Sequence, residues 1–347
     1  MKRRIASWEN GPSVAEGFYG ALLAAALELG SEEMGLPRHG SQDAALLDVR
    51  YPLSPDATIS AVSHLWRADL HGYEPLLASP PSQPAWSDAS LRWLVAPEPA
   101  PLSGDHASSA RRIGLTDVAV IKSTGDAFAR LDDQFGGEHA RHAVIQYLSC
   151  DVAPLLRGRY NDATGRALFS TVAELTLLAG WMSYDACHHG LAQRYFLQAL
   201  RFAQDSGKRR LAGSVLSATS HQATFLGQFT QAATLARATR MGISGVATPT
   251  LMAQFHAMEA RALARTGHRK ACEQALVEST RHLERRHEGD EPEWITYFDE
   301  AGLAAEAAQR HVPRQGTIPA GAGSTGCPAP GVDRAGDHPR GRGEHSF

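Results

Sequence analysis

Ala192 in GLAQRYFLQAL, Ala232 in FTQAATLA and Cys272 in HRKACEQAL follow one another at intervals of about 40 residues. Gly227 and Gly267 stand five places before the second and the third. A glycine there ends one helix in a left-handed turn, and the small residue after it opens a close contact for the next helix. Gly180, Ala192 and Ala199, with Phe196 between the last two, mark where the helices of the first pair touch. Each such pair leaves an apolar face uncovered, so pairs must stack, and the product is a solenoid with a concave face. The spacing predicts an all-α fold of stacked helical hairpins; an Ala-rich helical bundle is the alternative the same residues allow.

Composition narrows the function classes. The chain has 347 residues, 43% of them hydrophobic and only 7% aromatic, enough for a sizeable helical core. A net charge of −3 supplies no global field for nucleic acid, so any DNA contact must be local. Cys150, Cys187, Cys272 and Cys327 lack metal or disulfide spacing and fit a reduced cytoplasm. No apolar run reaches the roughly 18 residues that span a bilayer. Lys2, Arg3 and Arg4 do not begin an export signal, because Trp8, Glu9 and Asn10 interrupt what would have to be apolar.

Residues 1–36 read as a helix ending near Glu9, a turn at Asn10-Gly11-Pro12-Ser13, and a second helix from Ala15 to Leu29. KRRIASWENG resembles the end of the recognition helix in lambda-repressor-like helix-turn-helix domains. The resemblance implies that Lys2, Arg3 and Arg4 approach DNA, reading guanine edges or phosphates. Such a domain holds its recognition helix with two earlier ones, and this chain begins inside it, so a partial helix-turn-helix is expected. The bland alternative for the basic trio is a solvated helix end.

Residues 37–112 read as a linker with short helices, broken by Pro52, Pro55, Pro75, Pro80, Pro81, Pro84, Pro97, Pro99 and Pro101. Two islands look structured, Ile59–Leu70 with Val62, Leu65 and Trp66 on one stripe, and Ala89–Val95 with Leu91, Trp93 and Leu94. Trp66 and Trp93 are expected to be packing anchors.

A helical repeat domain is expected over 113–310. Val118, Ile121, Phe128, Leu131 and Phe135 recur at helical intervals, with Thr116 as the expected N-cap and Gly136-Gly137 as the stop. Adjacent Asp132 and Asp133 point about 100° apart on a helix and lack the ligand ladder of a calcium loop, so solvated carboxylates are expected. AELTLLAGWMSYDACHHGLAQRYFLQALRFAQ, with RGRYNDATGRALF, SATSHQATFLGQF and AMEARALARTGH, resembles actinobacterial regulators that join an amino-terminal helix-turn-helix to a tetratricopeptide-like array. The resemblance implies a cytoplasmic transcriptional or developmental regulator whose array binds a peptide, protein or small-molecule signal.

Enzymatic candidates do not assemble. His188 and His189 are neighbours rather than an i, i+4 metal pair, and Ser220-His221 lacks a nucleophile elbow. No catalytic residue, metal or cofactor is expected. Arg194, Tyr195, His221 and Gln222 are the expected ligand contacts, since Arg and aromatic groups dominate peptide recognition. An interaction scaffold that never touches DNA is the rival from another class, and a truncated, non-functional regulator is the further alternative. Residues 311–347 turn to Gly, Pro, Arg and His without periodicity and read as a disordered tail. GTIPAGAGST and DHPRGRGEH can be encoded by one GC-rich string read in two frames, so the tail is expected to be the accidental translation of a repeat array, with a basic disordered arm that binds nucleic acid as the alternative. An array cut short there exposes its last apolar face, and self-association is expected.

Overall fold

The computed structural model describes residues 49, 51–102, 111–287, 291, 295 and 298–308. The chain forms two compact units, Met1–Val49 and Arg50–Phe347, and apart from Val49 the described residues belong to the second. The partial helix-turn-helix read over 1–36, with Lys2, Arg3 and Arg4, and the tail read over 311–347 lie outside the described residues. Among those described, every regular element is helical, and the one β-type pairing is an isolated bridge between Arg112 and Arg159.

Residues 51–102 carry three helices. Helix α1 (Pro55–Leu70) begins where Ser54 accepts the Ala57 N–H at 3.2 Å, with Pro55 supplying the fixed φ of a first turn. Prolines likewise open α2 (Glu74–Leu77) and α3 (Gln83–Val95). Trp66, Trp86 and Trp93 are at most 1% exposed, so this segment packs as core rather than trailing across a surface.

Helix α4 (Leu115–Phe135) is capped two residues earlier than expected. Gly114, not Thr116, is the N-cap, and the Asp117 carboxylate accepts the Gly114 N–H at 2.9 Å. Gly136 ends it at φ 82°. Helix α5 (Gly137–Tyr147) passes through a π-turn (Leu148–Val152) into α6 (Ala153–Leu156).

Then come α7 (Asp162–Asp185), α8 (His189–Asp205), α9 (Arg209–Phe225), α10 (Phe229–Ile243), α11 (Pro249–Thr266), α12 (Arg269–Leu283) and α13 (Glu300–Ala308). Four of their junctions use one turn. Cys187, Gly207, Gly227 and Gly267 all have positive φ, from 63° to 81°. After each, the next N–H reaches back over the turn, His188 to Ser183 O at 2.9 Å, Lys208 to Ala203 O at 3.1 Å, Gln228 to Ala223 O at 2.8 Å and His268 to Leu263 O at 3.3 Å. These are Schellman closures, which satisfy carbonyls the helix end leaves open. Five places beyond each turn residue stand Ala192, Ala212, Ala232 and Cys272, none more than 5% exposed. The repeat therefore steps by about 20 residues, one helix at a time, and Gly207 with Ala212 belongs to it. Gly227 has open space around its missing side chain, so Gly227→Ala meets only backbone strain. We expect a loss of about 1 kcal/mol in urea unfolding.

Each helix from α8 to α12 packs on its predecessor, and α9 also touches α7 and α11. Close approach needs small residues: a Cβ on Gly180 would stand 2.6 Å from the Phe196 ring. The Ser220 hydroxyl donates to Ala232 O at 2.8 Å and that of Ser279 to Ala253 O at 2.7 Å, tying α9 to α10 and α12 to α11. Helix α13 rests on α11 and α12. On its other side α8 meets α1, α2 and α3, so all residues from Gly190 to Ala203 are buried. Cys150 is an exposed thiol and Cys272 is buried, whereas Cys187 is disulfide-bonded, against the expectation of four reduced cysteines.

Candidate functional site

A helix covered on both sides must pair its polar residues inside the chain. Helix α8 carries Gln193, Arg194 and Tyr195 in succession, and each meets a different part of the segment 69–82. The Tyr195 hydroxyl donates to Asp69 Oδ2 at 2.6 Å, and Arg141 Nη1 donates to both Asp69 oxygens at 2.7 Å. Burial, reinforced by the Asp69 carboxylate, pushes the Tyr195 hydroxyl well above the usual phenol range, so it stays a donor. Arg194 Nη1 donates to Ser79 Oγ at 2.9 Å and to Gly190 O at 2.8 Å. The Gln193 amide takes both backbone groups of one residue. Its Oε1 accepts the Ser82 N–H and its Nε2 donates to Ser82 O, each at 2.7 Å. Beneath them Gly190 lets the chain lie flush, because a Cβ there would stand 1.9 Å from Ser79 O.

Of the four expected ligand contacts, the structure separates two from two. Arg194 and Tyr195 face 69–82, whereas His221 and Gln222 lie on α9 and face α7 and the start of α8. Gln222 Nε2 donates to His189 O at 2.8 Å. His221 meets the rings of Trp181 at 5.5 Å and Tyr184 at 5.7 Å, and Tyr184, His189 and Phe225 close the cluster at 5.2–5.3 Å. Both halves converge on the first turn of α8. Gln193 gives no signal in the sequence, since a glutamine between Ala192 and Arg194 carries no motif, and the Pro80-Pro81 pair ahead of the Ser82 that it holds reads only as a break.

A second polar cluster joins α10, α11 and α12. The Glu259 carboxylate, 6% exposed, receives Arg237 at 2.8 Å and Arg240 at 3.1 Å. Next to it the imidazoles of His256 and His282 stack at 5.5 Å with 20° between planes. Burial is the main cause that lowers His256 to about 4, with Arg240 and His282 adding to it. Burial, then neighbouring His188, lowers His189 to about 4 as well. Both rings are neutral when folded and take up protons near 6.5 when unfolded, so their contribution holds above that pH and is lost between about pH 6.5 and 4. Allowing for partial exposure, we expect on the order of 1–2 kcal/mol for each ring. Glu174 and Asp205, raised by burial, act in the opposite sense, so the histidine share is read as the flattening of the stability–pH curve in His189→Gln and His256→Gln.

No group of three or more His, Cys, Asp or Glu among the described residues could hold a metal ion. Asp133 is exposed, but Asp132 is only 6% exposed, which corrects the expectation of two solvated carboxylates: adjacent residues of α4 face opposite environments. No described helix is long and apolar enough to cross a membrane. No protein-family model, curated protein or solved structure matches the chain.

Proposed function

We propose that this chain is a cytoplasmic transcriptional or developmental regulator of tetratricopeptide-like build. Its stacked hairpins bind a peptide or protein partner, and Lys2, Arg3 and Arg4 contact DNA. The observation that carries the reading is the recurrence of one turn and one buried small residue at 187/192, 207/212, 227/232 and 267/272. A unit that repeats every helix builds an extended, partner-facing surface rather than an enclosed pocket, which suits recognition more than catalysis. The second reading, an interaction scaffold without DNA contact, is favoured by the net charge of −3.

Selection from a random duplex library by the intact chain separates the two. The regulator enriches one sequence, and the Lys2→Ala, Arg3→Ala, Arg4→Ala triple variant loses it, with a salt slope smaller by up to about 3. An unenriched library with a folded chain leaves the scaffold.

A further inference from the structure

We infer that the first half of α8, with the start of α10, is a groove for an extended Ser-Pro-Pro-Ser-type peptide, occupied in cis by the chain's own Ser79–Gln83. The inference deepens the partner-binding half of the proposed function and rests on it. The contacts that pair the polar residues of α8 inside the chain also have the form of peptide recognition. A side-chain amide that accepts the N–H and donates to the C=O of one extended residue reads backbone, as a groove reads a peptide, and Ser82 is extended at φ −103°, ψ 113°. Pro80 and Pro81 offer no N–H, so the groove has only the Ser82 donor to satisfy across that stretch. Gly190 supplies the flat floor under Ser79, and Arg194 reads the Ser79 hydroxyl. Gln83 donates to the Gln228 side chain at 2.5 Å, extending the track to the N-cap of α10.

Burial divides the two partners. Gly190, Gln193 and Arg194 are buried, while Ser79, Pro81 and Ser82 are half-buried and Pro80 and Gln83 exposed. The anchors Trp66, Trp86 and Trp93 lie outside the segment, on α1 and α3. Residues 79–82 can therefore lift, with Gln83 peeling from the first turn of α3, while α1 and the rest of α3 stay docked, and a partner segment with a small hydroxyl residue on each side of two prolines takes their place. Cis occupancy lowers the apparent affinity of such a partner by the fraction of chains that are open.

The test uses the full-length chain and a fluorescein-labelled peptide of sequence LASPPSQPAW. Ser79→Ala removes the hydroxyl that accepts from Arg194, along with its local bond to Leu76 O, and Ser82→Pro removes the N–H held by Gln193; each hydrogen bond lost to α8 raises the open fraction by about fivefold. The double variant should bind the peptide by anisotropy about thirtyfold more tightly than the wild type, and Ser79→Ala alone, which leaves the backbone untouched, about fivefold. Adding Gln193→Ala should cut the gain back to about the fivefold that Ser79→Ala gives alone, because the Ser79 share runs through Arg194. A folded double variant that binds no better than the wild type overturns the groove, as does a thirtyfold gain left undiminished by Gln193→Ala. A chain that exchanges this peptide yet selects no DNA loses the regulator reading and keeps the groove; one that selects DNA and shows no exchange loses the groove alone.

Discussion

Asp69→Ala lowers the free energy of unfolding by about 3–5 kcal/mol, because it leaves a buried cation and a buried hydroxyl without their shared acceptor. The Asp69 side chain is 1% exposed and that of Arg141 17%, and the two are joined by a two-oxygen contact at 2.7 Å. Tyr195, 0% exposed, donates to the same carboxylate. One side chain thus holds α1, α5 and α8 together. Asp69→Asn keeps one acceptor and should cost less. A cycle with Tyr195→Phe should return a coupling of about 1 kcal/mol or more, since the two groups share one hydrogen bond. Urea unfolding supplies all of these values, and a loss below about 1 kcal/mol for Asp69→Ala would mean that water already reaches the pair.

Trp93→Ala should cost about as much, 3–5 kcal/mol, through lost apolar burial and the cavity left behind. Trp93 is 1% exposed and lies on the backbone of α10 where Gly242 has no side chain; a Cβ there would stand 2.1 Å from its ring. The Arg209 guanidinium covers the ring at 5.1 Å and donates to Gly242 O at 3.0 Å. The same seat predicts the reverse experiment. Gly242→Ala pushes the ring off α10 at about 1–3 kcal/mol, and the two changes should be far from additive, because both undo one contact. Additive losses would place the ring's energy elsewhere.

The hairpin region was legible because its signals are local. Gly227 and Gly267 each need a left-handed φ, and the small residue five places on needs room, so both requirements are written in residue type. The first turn escaped because Cys187 holds the same conformation at φ 63° without being a glycine. Gly207 is hidden by a period of about 40 residues, because the structure steps by half of that.

Residues 51–102 were harder for a physical reason. Their prolines break the helical period and read as a connector, yet Pro55, Pro75 and Pro84 sit in first turns, where a missing N–H costs nothing. The anchoring role of Trp66 and Trp93 could be read from the apolar stripe, but what they pack against could not. For the site, residue type suggested that Arg194 and Tyr195 recognise a partner; only the fold shows that what they hold is Ser79 and Asp69 of their own chain. Gln193 gives no signal until Ser82 is brought beside it.

The functional account depends on the hairpins acting as an array in which each leans on its neighbours, and native-state hydrogen exchange on Leu283→Ala tests this most directly. Leu283, 3% exposed, closes α12, and its truncation costs about 2–5 kcal/mol where it acts. An array predicts that protection falls in α11, α12 and α13 while the slowest amides of α7 and α8 keep theirs. An equal fall in every helix would show a single cooperative bundle and contradict the array.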